Sequence, residues 1–158
     1  MVPESAYSSG LADPADPKAV LEVCLCHNVR RASRAITRHY DLTLAPAGLT
    51  AGQFFILAAV ASQAQVSLPI LREILALDRT TLTRSLKPME NKNLIDVTAG
   101  AGRRAGTVRL TREGASAFRE AGPLWRAAQK EATERIGTAR AGQLITGLAI
   151  ATVLLDKK

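Results

Sequence analysis

From Asp16 to about Asp41 apolar side chains return at steps of three and four. Leu21, Leu25, Val29, Ala32, Ile36 and Tyr40 form one stripe, with Arg30, Arg31, Arg34 and Arg38 on the other side. That period is the mark of an amphipathic helix. Asp16-Pro17 supplies its start, a capping carboxylate followed by a residue whose missing N–H costs little in a first turn. "LAPAG" (Leu44–Gly48) breaks the pattern. Thr50 caps a second helix, 51 to about 62, whose "FFILAAVA" is apolar nearly all round and so belongs in the core. Ser67 caps a third, running to about Leu75, with Leu68, Leu71 and Leu75 on one face and Pro69 in the first turn. Asp78 or Arg79 opens a fourth. After Asn93 the pattern changes to two short β-like runs, "LIDVTAG" and "GTVRLT", around Gly100, Gly102, Gly106, Arg103 and Arg104, which predicts a hairpin. Thr111 caps a fifth helix opened by "TREG" and running to about Ile136, with a bend expected near Gly122-Pro123. Thr138 caps the last, which reaches Leu155. The expected fold is mainly α with a small β-hairpin, in the order α-α-α-α-β-β-α-α.

Composition narrows this picture. The 158 residues suffice for one domain with its own core, and 47% are hydrophobic. Only 4% are aromatic while alanine is abundant, which favours closely packed helices over a β-sandwich. The first 15 residues lack a basic start and an apolar run, and read as a flexible leader, not a signal peptide. The most apolar run, "LITGLAIATVLL" (Leu144–Leu155), falls short of the roughly 20 residues a spanning helix needs. A soluble, cytoplasmic chain without membrane contact is therefore expected. Two cysteines one residue apart do not make a disulfide framework. No G-x-S-x-G, phosphate-binding loop or metal-ligand spacing is present, so neither an enzyme nor a cofactor is expected.

Charge is concentrated. The net charge is +7, and between Arg72 and Arg112 nine basic side chains stand against four acidic ones. Such an excess in a quarter of the chain points to a polyanion. On the fourth helix Leu82, Leu86 and Met89 share one face, and Thr80, Thr83, Arg84 and Lys87 lie opposite, with Arg79 at the start. Short hydroxyls beside long cations suit a DNA major groove, where threonine meets phosphate or a thymine methyl and arginine reaches guanine. One such helix is as readily a solvated face. Its context is more specific: a short capped helix precedes it across "ALD", and a Gly/Arg hairpin follows. That is the arrangement of a helix-turn-helix with a wing, whose arginines suit the strong negative potential of a narrow minor groove. The best base-proximal candidates are Thr80 and Arg84. Thr83 and Lys87 suit phosphate or mixed contacts, and Arg103 and Arg104 belong to the wing.

These residues carry a family resemblance. "SLPILREILALDRTTLTRSLKPMENKNLI" resembles the third and recognition helices of the MarR family of bacterial transcription regulators. "GRRAGTVRLTREG" resembles the family's wing and following helix start, with Arg104, Leu110, Thr111 and Gly114 matching. Gly102 stands where the family usually has an aspartate that orients the wing arginine, and Asn93 replaces a usual glycine, tolerably since asparagine accepts left-handed backbone. The resemblance runs from about Ala19 to Leu155. It implies a winged helix-turn-helix lobe at 50–112 within a single unit at 16–158, and dimerisation helices at 16–48 and 113–158. It also implies a homodimer on a pseudo-palindromic double-stranded operator. Independently, the last helix carries more apolar surface than a small winged domain can hide. The function so implied is a sequence-specific transcription regulator, a repressor whose DNA affinity a small effector alters. The rival readings are an oxidant-sensing regulator and a non-specific architectural DNA-binder.

Signal-site candidates lie in the first helix. Cys24 and Cys26 sit near the edges of the apolar stripe, where small buried hydrophobes are the plainer reading and reactive thiols the sharper one. Residues two apart on a helix diverge, so a Cys24–Cys26 disulfide requires unwinding. "CLCHN" lacks the spacing of a zinc site, and no metal is expected. Family members respond to small aromatic acids or oxidants. The resemblance places an effector between dimer helices and DNA-binding lobe, where Arg30, Arg34, Arg38 and His39 could hold a carboxylate.

Overall fold

The computed structural model describes residues 16–102 and 104–155. The leader expected at residues 1–15 and the wing candidate Arg103 lie outside the described residues. The elements are α1 (Pro17–Val23), α2 (Leu25–Leu44), a 3-10 turn (Ala45–Ala47), α3 (Ala51–Ala61), β1 (Val66–Ser67), α4 (Leu68–Leu75), α5 (Arg79–Asn91), β2 (Ile95–Thr98), β3 (Thr107–Leu110), α6 (Arg112–Ile136) and α7 (Thr138–Leu155). The chain divides into one unit up to His39 and a second from Tyr40 onward.

In the first unit Asp16 caps α1, its carboxylate accepting from the N–H groups of Lys18 and Ala19 at 3.0 and 3.2 Å. The single helix expected from Asp16 to Asp41 is interrupted at Cys24, whose backbone is extended (φ −65°, ψ 112°). The cause lies four residues on. The Asn28 amide donates to the carbonyls of Glu22 and Cys24, both at 3.0 Å, and of Leu21 at 3.4 Å. It thereby satisfies acceptors that a helix end leaves open. Leu21, Leu25 and Val29 remain exposed.

In the second unit α2 runs one turn past the expected end. Asp41 is not a terminus; its carboxylate reaches over the turn to the N–H of Ala51 at 2.7 Å. Gly48 then takes the left-handed conformation (φ 68°) that ends the 3-10 turn. Thr50 and Gln53 form a reciprocal capping box at the start of α3. This helix holds the core, with Phe54, Ile56, Leu57 and Val60 buried. Five of the chain's six aromatic residues gather about it. The Phe54 ring lies 5.2 Å from Phe118 and 6.1 Å from Trp125 on α6, and Phe55 lies 6.3 Å from Tyr40. The Tyr40 hydroxyl donates to Gln129, tying α2 to α6.

The expected hairpin is one part of a three-stranded antiparallel sheet of order β1-β3-β2. β1 escapes the sequence pattern because two residues carry no period; Val66 and Ser67 pair with Val108 and Thr107. At the other end of the chain, Thr138 is the first residue of α7 and not its cap. Gly137 ends α6 at φ 89° and accepts the Ala141 N–H at 2.9 Å. In α7 only Ala141 is buried, and Leu144, Ile145, Leu148, Ile150, Val153, Leu154 and Leu155 are exposed. The expectation of a segment too short for a membrane rested on the last twelve residues. The helix has 18, about 27 Å, and by length and hydropathy alone could cross one.

Ala76, which ends α4, holds φ 49° and ψ 43°. A Cβ makes this left-handed region cost about 1–2 kcal/mol, partly offset by glycine's greater unfolded-state entropy of about 0.4–1 kcal/mol. Ala76→Gly should therefore stabilise the protein by about 0.5–1 kcal/mol, read as a higher urea midpoint at unchanged slope. An unchanged or lower midpoint would contradict this strain.

Candidate nucleic-acid interface

Helices α4 and α5 are joined by Ala76, Leu77 and Asp78, and each flank is fixed by its own hydrogen bonds. Ser67 caps α4 by accepting from the Ile70 N–H at 3.4 Å. At the far end the Leu77 N–H bonds the Arg72 carbonyl at 3.0 Å, closing the helix in a Schellman turn. Asp78 caps α5 with both oxygens on Thr81: the N–H reaches Oδ1 at 2.9 Å and the hydroxyl reaches Oδ2 at 2.6 Å. The hydroxyl bond first, then the N–H, hold the Asp78 carboxyl below its ordinary value of 3.8. Its negative charge thus sits at the positive end of the helix dipole.

Behind α5, Leu82, Leu86 and Met89 are 2%, 5% and 0% exposed, which fixes the rotation of the helix about its axis. Arg79, Thr80, Thr83, Arg84 and Lys87 therefore all face outward. Their hydrogen-bonding capacities differ. The Thr83 hydroxyl donates to the Arg79 carbonyl at 2.9 Å, and Ser85 donates to Thr81 at 2.9 Å. Thr83 thus offers a methyl group and lone pairs but not its proton, so the expected donation to phosphate requires breaking this bond. Lys87 pairs with Glu90 at 3.2 Å in an exposed contact worth at most about 1 kcal/mol. Among the described ion pairs none involves Arg79, Arg84 or Arg104. Pro88 removes the donor for the Arg84 carbonyl, yet α5 continues to Asn91.

In the wing, Arg109 is held in an exposed ion pair. It lies opposite Asp96 in the β2–β3 ladder and pairs with it at 2.8 Å. At the tip the Arg104 N–H donates to the Ala101 carbonyl at 3.0 Å, and Gly102 holds φ 58° within that turn. Glycine at 102 thus has a backbone reason, and it provides no side chain to orient the exposed Arg104.

The junction of recognition helix, wing and α6 is the tightest feature of the site. Asn93 takes φ 55°, as its replacement of a turn glycine requires. The Thr111 hydroxyl donates to the Asn93 carbonyl at 2.6 Å and accepts from the Gly114 N–H at 2.9 Å, while the Thr111 N–H reaches the Leu94 carbonyl at 3.2 Å. A Cβ built at Gly114 would lie 1.8 Å from the Leu94 carbonyl oxygen. The L-T-x-x-G sequence is thus a packing device: threonine binds the turn and glycine admits it.

The other candidates lie on α2. Arg30, Arg34 and Arg38 are exposed at four-residue steps along one face, and His39 is half-buried. Cys24 is half-exposed and Cys26 exposed, against the reading of both as buried hydrophobes. The Cys24 sulfur accepts from the His27 N–H at 3.5 Å, the position of a helix cap at the start of α2. Two further positions were missed in the sequence. Asn28 left no periodic signal, whereas Gln53 stands three residues after Thr50, the spacing of a capping box.

A helix-turn-helix with an outward cationic face and a glycine-tipped wing is a winged helix-turn-helix lobe. Solved structures similar to this chain include the Mycobacterium tuberculosis transcriptional regulator MosR in complex with DNA. It is 36% identical with a TM-score of 0.73, over 85% of this chain and 99% of that one. A mutant MarR from Escherichia coli complexed with operator DNA aligns at 22% identity and a TM-score of 0.73, over 84% and 96% of the two chains. BpsR of Bordetella bronchiseptica, whose DNA binding is regulated by 6-hydroxynicotinic acid, aligns at 24% and 0.69, over 80% and 93%. These last two share the fold. No family model and no curated protein sequence matches. The chain belongs to the MarR family of transcriptional regulators.

Gly114→Ala should cost about 3 kcal/mol, because its methyl group can be admitted only by moving backbone. Equilibrium denaturation checks this, and a change within about 0.5 kcal/mol, as at an ordinary surface site, would show that the junction is not closed.

Proposed function

We propose that the chain is a sequence-specific double-stranded DNA-binding regulator, a repressor that acts as a homodimer on a pseudo-palindromic operator and whose affinity a small effector alters. It acts by binding, not catalysis. The observation that carries this reading is the face of α5, where Arg79, Thr80 and Arg84 stand outward while Leu82, Leu86 and Met89 hold the helix from behind. In this reading α5 enters the major groove with Arg84 and Thr80 nearest the bases. Thr83 and Lys87 lie along the backbone, and Arg103 and Arg104 of the wing enter the minor groove. The exposed apolar residues of α1, α2 and α7 support a dimer built from 16–48 and 113–158. MosR and MarR, in structures with DNA, and BpsR, regulated by 6-hydroxynicotinic acid, support the same reading. Arg30, Arg34, Arg38 and His39 are the cationic candidates for an acidic effector.

A genomic fragment selected by the purified protein supplies the operator for the test. Arg84→Ala should weaken binding to it by about 1–3 kcal/mol and relax the preference at one base position per half-site. Equal weakening on every sequence would instead make Arg84 a phosphate anchor.

A second reading, control by oxidants, is favoured by the break at Cys24. The extended backbone removes the helical constraint that holds residues two apart on different faces. A hydroperoxide would oxidise one thiolate to a sulfenic acid, itself being reduced to the alcohol. The second thiol would then attack that sulfur, forming the Cys24–Cys26 disulfide and releasing water. Peroxide-treated protein should bind the selected fragment at least tenfold more weakly than reduced protein, with a thiol reductant restoring affinity and Cys26→Ser abolishing the response. Equal affinity in both states would remove this reading.

A further inference from the structure

We propose that α2 carries a second surface for duplex DNA, one that holds the phosphate backbone and does not read bases. This rests on the DNA-binding reading above and gives the arginines of α2 a partner other than an acidic effector. Arg30, Arg31, Arg34 and Arg38 are all exposed. At about 100° per residue they fall within about 100° of arc. The apolar stripe of Leu25, Val29 and Ile36 lies on the opposite side of the same helix. The two faces therefore suit different neighbours. The stripe suits protein, and the arginine row suits an anion.

The charge on this face is unbalanced in a way that α6 is not. α6 has five cationic side chains and four glutamates. Two of its cations have partners along the helix, Arg135 with Glu131 at 2.9 Å and Lys130 with Glu134 at 3.8 Å. α2 has four arginines and one acidic residue, Asp41. The Asp41 carboxylate is already bonded to the Ala51 N–H at 2.7 Å. Among the described ion pairs none involves the four arginines. Arg30 and Arg34, and Arg34 and Arg38, stand four residues apart, and Arg31 and Arg34 three apart. Like charges at these spacings destabilise a helix. A polyanion along the row would relieve that repulsion.

The dimensions favour a duplex. From Arg30 to Arg38 the helix rises about 12 Å. Over that length duplex DNA presents about seven phosphate charges, counting both strands. One carboxylate pairs with one guanidinium fork and leaves the rest of the row unanswered. A phosphate backbone can meet several forks at once, and the planar fork matches phosphate oxygens. No phenylalanine, tyrosine or tryptophan stands in the arc, so the stacking platform that single strands need is missing there. No asparagine or glutamine stands in it either, so the amide that pairs with adenine is missing as well. The row supplies affinity through charge, while α5 supplies base contacts.

Binding of the full chain to random duplex across a series of salt concentrations tests this. Arg31→Gln/Arg34→Gln should weaken binding roughly tenfold or more at low salt. The plot of log affinity against log salt should become shallower by at least about 0.9 per protomer, the value of one phosphate contact. Arg31→Lys/Arg34→Lys keeps the charge and should keep most of the slope. Lys130→Gln/Arg135→Gln removes the same charge from exposed positions on α6 and should leave the slope nearly unchanged. The melting temperature of Arg31→Gln/Arg34→Gln should hold or rise, because like-charged neighbours are removed. Its base preferences on the selected fragment should match the wild type, in contrast to those of Arg84→Ala. The proposal is overturned if Arg31→Gln/Arg34→Gln keeps the wild-type slope, if it melts well below the wild type, or if it alters the preference at particular bases. It is equally overturned if the α6 variant lowers the slope as much. Base preference in the wild type with an unchanged slope in Arg31→Gln/Arg34→Gln would remove this surface alone. An α2-dependent slope without base preference would remove the regulator reading and leave this surface standing.

Discussion

Where α6 begins, its backbone lies against the Leu94 carbonyl so closely that no methyl group fits at Gly114. Three bonds from Thr111 secure the contact to the turn at Asn93 and Leu94 and to the helix itself. The end of the recognition helix, the first strand of the wing and the start of the long helix therefore meet at one closely packed junction. α6 in turn meets the central helix through Phe118 and Trp125 around Phe54, and meets α2 through Gln129 and Tyr40.

The reading face follows from what the helix needs for itself. A hydroxyl that already bonds within its own helix is not free to donate to DNA: Thr83 and Ser85 donate to backbone carbonyls, and Thr81 donates to the Asp78 carboxylate. An arginine that pairs across a ladder is partly neutralised, as Arg109 is by Asp96. The basic excess of the window is thereby sorted. Among the described residues, Arg79, Arg84 and Arg104 project outward with no ion pair, whereas Lys87 and Arg109 are paired with Glu90 and Asp96. This sorting depends on side-chain geometry, so a count of charges in the sequence overstates the number of contacts available to a polyanion.

Much of the fold was legible because its determinants are local. Asp16, Thr50, Ser67, Asp78 and Thr111 all accept from the first turns they precede. The apolar period also placed Leu82, Leu86 and Met89 correctly behind the recognition helix. The break at Cys24 was not legible, because the stripe continues through it and the cause is one asparagine side chain. β1 is too short for a period, and its pairing depends on where β3 lies. Gly102 was read as the loss of an orienting carboxylate; its φ of 58° shows what the glycine provides in return.

The central claim is that this face reads sequence and does not merely attract a polyanion. Competition binding, with the selected genomic fragment against random duplex at one fixed salt concentration, measures this most directly. The account predicts a preference of at least about 10³-fold for the selected fragment, retained as salt is raised while both affinities fall. A ratio near one at every salt concentration would contradict it and leave a non-specific DNA-binder on the same fold.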